Sequence, residues 1–580
     1  MPNSLEKITV TGGTNIPDDS FYGFNSLTSV SLPDNTEYIG ESSFSGCSKL
    51  KEFKIPSKAT FIGADAFQNC ALINFNIPKG VTEIGSSAFE NCTSLTEINV
   101  PEATDKIGDS AFSGCTALKK AVISTCKDGI GKRVFNKCTS LGNLTLPYAG
   151  FDPKNAASTD SSCLCQLFGE YISGYTYGVT YSGATYYVPN SLEKITVTGG
   201  TNIPDAALYG FSSLNEVSIP DGTTYIGNLA FSGCSNLEKF NMPSKAEYIG
   251  NQAFNGCAKI VVDIPEGVTM IGERAFGGCT ALTEINVPKA TKQIGGTAFI
   301  DCTGLKKAVI NGEDTIIGPN CFNKCISLES LTLPFVIPDT VKQTESESSW
   351  FKGLFGAYVS GYTYGLPWGD GTIFIPNSLK ELNITNGKEL PANALSGMQL
   401  ENVTLPKTIE SIGNSAFDGC NKILNVFYPD KQAAWDKVKI GEKNTVLDER
   451  LRVLGDDGEY HNVITTTTVS TSTTTTTTVT TTTAVTTTAA PVSDEYSLGD
   501  VDNNKAVNAV DASMVLSEYA LTSTNKKSQF TEAQKKAADV DANGAINAVD
   551  ASYILEYYAY TATTKEKPVT MSEYMAKKSK

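Results

Sequence analysis

A phenylalanine returns every 22 or 23 residues through most of this chain. It stands at Phe44, Phe67, Phe89, Phe112 and Phe135, again at Phe231, Phe254, Phe276, Phe299 and Phe322, and once more at Phe417. Each sits in one phrase, written at 83–92 as Glu-Ile-Gly-Ser-Ser-Ala-Phe-Glu-Asn-Cys. A fixed period of this length marks a solenoid, in which no unit can bury its own apolar face and each must stack on the next. A single compact core is excluded, since 580 residues would outgrow one. A longer period encloses the short one: Pro-Asn-Ser-Leu starts at Pro2, Pro189 and Pro376, two intervals of 187 residues. Because residue 2 already lies inside that phrase, an upstream part carrying any secretion signal is expected. Residues 1–30 hold no basic stretch followed by an apolar one.

Each unit reads as one coil. In Leu95-Thr96-Glu97-Ile98-Asn99-Val100 the apolar residues alternate, the period of a short strand with one buried face. Pro101 then ends the ladder, and the phrase around the phenylalanine supplies a turn and an apolar plug. The strands of successive coils are expected to line up in parallel. Eleven of the fifteen cysteines share one repeat position, from Cys47 to Cys420. In-register side chains point the same way, which suits a ladder of buried thiols better than disulfides. Cys163-Leu164-Cys165 lies off that ladder and reads as filler or a local disulfide, since no histidine or second pair stands near it to complete a metal site.

These coils resemble the BspA-like class of bacterial leucine-rich repeats, which carries the same Ile-Gly-x-x-Ala-Phe-x-x-Cys-x-x-Leu phrase. The resemblance covers most of 1–425 and implies an α/β repeat solenoid with parallel strands. Residues 426–464, with Trp435, are similar to the terminal cap of that family.

Between the long repeats two aromatic insertions, 167–189 and 354–376, break the period. They hold Tyr171, Tyr175, Tyr177, Tyr358, Tyr362, Tyr364 and Trp368 among glycines. Such segments read as hairpins packed on the flank of the solenoid, with a sugar- or protein-binding platform as the alternative. The strands expose Glu97, Asn99, Glu284 and Asn286, which favours a protein ligand over a glycan on that face. With one histidine, His461, the chain lacks the parts of a Ser-His-Asp or Cys-His site. A net charge of −16 argues against nucleic acid, and no run is long and apolar enough to span a membrane.

From 465 to 491 threonine dominates, with Val, Ser and Ala beside it, and a disordered linker is expected over 465–495. Beyond it Gly499–Ala520 repeats as Ala538–Ala559, an offset of 39 residues. Each copy is a loop of spaced oxygen donors feeding a helix. Calcium is a hard cation taking 6–8 oxygens, and alternate positions of a tight loop turn donors inward. The expected ligands in loop one are Asp500, Asp502, Asn504, the Ala506 carbonyl, Asn508 and Asp511. In loop two they are Asp539, Asp541, Asn543, the Ala545 carbonyl, Asn547 and Asp550. Two Ca2+ are expected, the first bound more weakly because Lys505 replaces the turn glycine that Gly544 provides.

This pair resembles a type I dockerin over 496–563, with 564–580 left as a tail. The resemblance implies a small all-α calcium-binding module and a partner, the cohesin module of a scaffoldin. It also implies contacts through Ala509, Val510, Ala548 and Val549 and through Leu516 and Leu555 on the helices that follow. The chain then reads as a non-catalytic, extracellular, cellulosome-associated protein whose repeats present a protein-binding surface. The alternatives are a carbohydrate-binding accessory protein and, further off, a polysaccharide-degrading enzyme. The enzyme would need two carboxylates across a cleft.

Overall fold

The computed structural model describes residues 4–72, 76–149, 163–334, 352–356, 358–368, 371–463, 497–501, 507, 509–523, 528, 530–564 and 569–578. The threonine-rich segment expected as a linker lies outside the described residues. Two compact units divide the chain near residue 467.

The first unit is the solenoid, and most of its coils contribute two short strands. One ribbon runs through Glu97–Val100, Lys120–Ile123 and Asn143–Leu146, all parallel and in constant register. The other runs through Tyr38–Ile39, Phe61–Ile62, Glu83–Ile84 and Lys106–Ile107, where the isoleucine is buried and the residue before it faces outward. The phenylalanines fill the space between, fully buried, and stack ring on ring. Phe67–Phe89 and Phe89–Phe112 both lie 5.4 Å apart and within 3° of parallel.

The repeated glycine has a steric cause. A Cβ on Gly85 would lie 2.4 Å from the Ala64 nitrogen of the coil below, and one on Gly108 would lie 2.3 Å from that of Ser86. Neighbouring coils therefore touch backbone to backbone at this point, and only glycine permits it. The cysteine ladder is buried and reduced. The Cys92 thiol donates to the Phe67 carbonyl at 3.3 Å and the Cys257 thiol to that of Phe231 at 3.1 Å. Burial pushes the Cys115, Cys257 and Cys302 thiols up to about 12. Cys163 and Cys165 form a disulfide, the local pairing that the sequence allowed.

Three coils lack the full phrase. Phe21, Leu208 and Leu395 occupy the phenylalanine position, and the Leu208 amide donates to Ala230 as that of Phe231 does to Ala253, each at 2.7 Å. The sheet also runs unbroken across the aromatic insertions. Asn143–Leu146 pairs directly with Lys194–Val197, and Ser330–Leu333 with Glu381–Ile384. Each insertion forms an antiparallel hairpin, Thr176–Tyr181 with Ala184–Pro189 and Thr363–Trp368 with Gly371–Pro376. Val179 and Val188 are buried against the coils, while the Tyr177 hydroxyl reaches Ser213 and that of Tyr364 accepts from the Gln399 amide. Tyr171, Tyr175, Tyr358 and Tyr362 remain exposed.

The last coil ends in α1 (Gln432–Trp435) and α2 (Val446–Arg450), with Trp435 buried against Tyr428. Leu451–Leu454 extends the ribbon in parallel, and Tyr460–Asn462 folds back antiparallel to close its edge. The reversal ends the parallel ladder, as a cap must. His461 lies on this last strand, exposed, and its ring meets the Asp457 carboxylate at 2.9 Å.

The second unit is helical. Helices α3 (Ala509–Ser523), α4 (Glu532–Ala538), α5 (Ala548–Thr563) and α6 (Met571–Lys578) enclose a small core of Val501, Ala512, Val515, Ala537, Val540, Ala551, Ile554 and Met571. The segment 564–580, expected as a tail, supplies α6 to this core. Tyr574 packs 5.4 Å from Tyr557, and the Tyr557 hydroxyl donates to the Val569 carbonyl at 2.8 Å.

Candidate calcium and docking site

Helices α3 and α5 each start where an acidic loop ends, and one aspartate ties each loop shut. The Asp511 carboxylate accepts the Val501 amide at 2.7 Å, and that of Asp550 accepts the Val540 amide at 3.0 Å. Both aspartates are fully buried. The 39-residue offset in sequence is therefore an offset in contacts as well.

Loop two is described throughout. Carboxylate oxygens of Asp539, Asp541 and Asp550 lie within 4.8 Å of one another. Gly544, at φ 81°, turns the chain so that its amide and that of Asn543 donate to Asp539 at 2.9 and 3.0 Å. Asn543 also donates to both Asp541 oxygens. The second Asp550 oxygen accepts the Asn547 amide at 2.9 Å, while the Asn547 side chain caps α5 by accepting from Val549 at 2.8 Å. The remaining Asn547 amide protons reach the Ala545 carbonyl at 2.9 Å. Of the six ligands expected here, three carboxylates converge. Asn543, Ala545 and Asn547 hold the loop's own turns.

Burial, with Asp541 next to it, pushes the Asp550 carboxyl above its ordinary range. Three carboxylates at this distance repel, and a divalent cation removes the cost. The donor set is oxygen only, which fits calcium and not a soft metal. Such an ion would be held by Asp539, Asp541 and Asp550, and would supply charge neutralisation and a rigid start for α5.

In loop one Asp500 and Asp511 are buried, and Asp511 makes the same closing bond as Asp550. Asp502, Asn504, Ala506 and Asn508 lie outside the described residues, as does Lys505.

The expected docking residues fall on the two related helices. Ala548 and Val549 are exposed at the start of α5, with Leu555 farther along it; Leu516 is exposed at the matching place on α3. Ala509 and Val510 open α3. Tyr519 and Tyr558, not singled out in the sequence, are exposed three positions beyond each leucine, 39 residues apart. Three apart on a helix places each leucine and tyrosine side by side. The 39-residue offset itself would have found them. Among the described residues no helix is long and apolar enough to cross a membrane.

Comparison with known proteins matches this architecture. Residues 14–149, 179–262, 201–329, 260–349 and 372–437 match the model of the BspA type leucine rich repeat region, and 498–557 match that of the dockerin type I domain. The chain belongs to the BspA-type leucine-rich-repeat family and carries a C-terminal type I dockerin, a calcium-binding module. Together these make a cellulosome-type protein-interaction module, with no enzymatic domain identified. Similar solved structures include a leucine-rich repeat protein from Bacteroides ovatus ATCC 8483, at 26% identity over 59% of this chain and 89% of that one, with a TM-score of 0.36. A leucine rich cell surface protein from Faecalibacterium prausnitzii A2-165 shows 17% identity over 75% and 90%, TM-score 0.20. The pneumococcal vaccine antigen PcpA shows 18% over 77% and 88%, TM-score 0.24. No curated protein matches the chain.

Proposed function

We propose that this chain is a non-catalytic extracellular binding protein, anchored to a cellulosome scaffold by calcium-dependent docking of its helical unit on a cohesin. In this reading the solenoid presents a protein-binding surface. The observation that carries the anchor is the duplicated loop and helix: Asp511 and Asp550 close two loops in the same way, and each following helix exposes a leucine and a tyrosine. Apolar side chains left in water on a small module are what a partner surface covers. Because Ala-Val opens both helices, either helix can meet the cohesin, giving two docking orientations related by a half turn. Two ions, one per loop, would set the helices in place.

For the solenoid, the ribbon's outward residues are polar and cross-paired. Lys307 meets Glu284 at 2.7 Å, Lys194 meets Glu216 at 2.6 Å and Lys380 meets Glu401 at 2.9 Å. Rows of mixed charge suit a protein partner read through complementary charges.

The test is the double variant Leu516→Asp with Leu555→Asp, assayed by native-gel shift against a cohesin that binds the unaltered chain. Both leucines are exposed, so the module should keep its melting temperature and lose the shift. Retained binding would refute the docking face.

A further inference from the structure

On the second ribbon of the solenoid, the outward positions of successive coils read Asn15, Tyr38, Phe61, Glu83 and Lys106. The Tyr38 and Phe61 rings stack 4.8 Å apart and 1° from parallel. The stack stops there. The next rung is Glu83, whose carboxylate turns to Lys106 at 2.8 Å, and among the described residues no ring stacks on the far side of Phe61. A cavity of about 240 Å3 opens at this point, lined by Tyr38, Phe61, Glu41, Glu83, Ser86 and Lys106 over Gly63, Gly85 and Gly108. We propose that this notch is a carbohydrate site that takes one pyranose ring of a neutral polysaccharide.

The chemistry of the walls points to that class. A pyranose has one C–H face and a rim of hydroxyls, each both donor and acceptor. The aromatic wall matches the C–H face. The same cavity is lined by acceptors on Glu41 and Glu83 and a donor on Lys106, the mixed set that a rim of hydroxyls satisfies. The floor is bare backbone, because coil stacking forbids a Cβ at each glycine, so a flat ring can approach closely. The volume is below the roughly 300–1,000 Å3 of a drug-sized pocket and suits a single ring. An anionic sugar would meet Asp18, Glu41 and Glu83; Asp18 accepts the Glu41 amide at 2.8 Å and so lies beside the notch.

The molecule holds its own control. In the next long repeat Tyr225 and Tyr248 stack in the same way, 4.7 Å apart and 6° from parallel, but Met270 and Gln293 follow where Glu83 and Lys106 stand in the first. The stacked pair is thus explained by coil packing in both repeats. Only the first repeat adds a charged donor and acceptor beyond the ring.

The experiment is calorimetric titration of the full chain with the hexasaccharides of β-1,4-linked glucose, xylose and mannose. At least one should bind, and Phe61→Ala should weaken it about tenfold, the loss of one stacking face. Glu41→Ala, exposed and outside the stack, should weaken it about fivefold through a lost charged acceptor, and it serves if Phe61→Ala fails to fold. Tyr248→Ala, and Tyr175→Ala with Tyr362→Ala, should leave affinity unchanged. No heat with any of the three sugars, or unchanged affinity in Glu41→Ala and Phe61→Ala, overturns the proposal. So does loss of binding in the Tyr175/Tyr362 variant alone, which moves the site to the hairpins. Displacement of the sugar by a lysine-rich peptide but not by an uncharged one would overturn it in favour of a protein ligand.

Discussion

Replacing Asp550 by alanine is the sharpest single test of how the helical unit is built. Its carboxylate holds the Val540 amide at 3.0 Å and the Asn547 amide at 2.9 Å, joining the entry of loop two to its exit. Hydrogen bonds to a charged group contribute about 1.5–3 kcal/mol each. Part of that is offset, because burial already disfavours this carboxylate in the absence of a cation. A net loss of about 3 kcal/mol follows in chelator. With calcium at a hundred times its dissociation constant, losing one site removes about 2.7 kcal/mol more. For a unit of this size each kcal/mol is worth about 4–8 °C, so the chelator value corresponds to about 12–24 °C. The assay is scanning calorimetry of the full chain. The solenoid and the helical unit have separate cores, so two transitions are expected and only the calcium-sensitive one should move. A shift below about 3 °C in calcium, or equal shifts of both transitions, would refute the reasoning.

Two further outcomes follow from the solenoid. Gly85→Ala should cost more than about 3 kcal/mol in urea unfolding, since its Cβ would lie 2.4 Å from backbone, whereas Gly12→Ala, with nothing within 4 Å, should change stability by less than about 1 kcal/mol. The ladder thiols should be inert to a thiol reagent in the native chain from pH 7 to 10 and react fully once unfolded, measured by thiolate release. Their folded values lie at about 11 for Cys47 and about 12 for Cys115, raised by burial over an unfolded value near 8.5, so their contribution to stability is complete below about pH 8.5 and is lost as pH rises through 11–12. Titration of native thiols at pH 8 would contradict the buried ladder.

Much of the fold was legible because its determinants are periodic. The phenylalanine spacing located the coils, and the alternation in Leu95–Val100 located a strand that the structure places at Glu97–Val100. What the sequence hid was aperiodic. Phe21, Leu208 and Leu395 plug coils whose glycine is replaced by Pro17, Pro204 and Pro391, so these coils do not carry the repeated phrase. Helix α6 was missed because Met571-Ser-Glu-Tyr574 is short and polar, and its place depends on Tyr557 and Tyr560 some way back in the chain. At the site, spacing alone brought out Asp539, Asp541 and Asp550. It could not show that the Asn547 side chain caps α5, because a cap and a ligand ask for the same residue type. The notch at Phe61 was invisible for a related reason. Tyr38 and Phe61 are one apolar position in two coils, and only stacking reveals where the row of rings ends.

The central claim is that calcium assembles the helical unit into a cohesin-binding surface. Calorimetric titration of the full chain against a panel of scaffoldin cohesins, in calcium and in chelator, tests it most directly. Tight binding to at least one cohesin is expected in calcium and none in chelator, with two calcium ions per chain. Binding of equal affinity in chelator, or no binding to any cohesin with both loops filled, would contradict it.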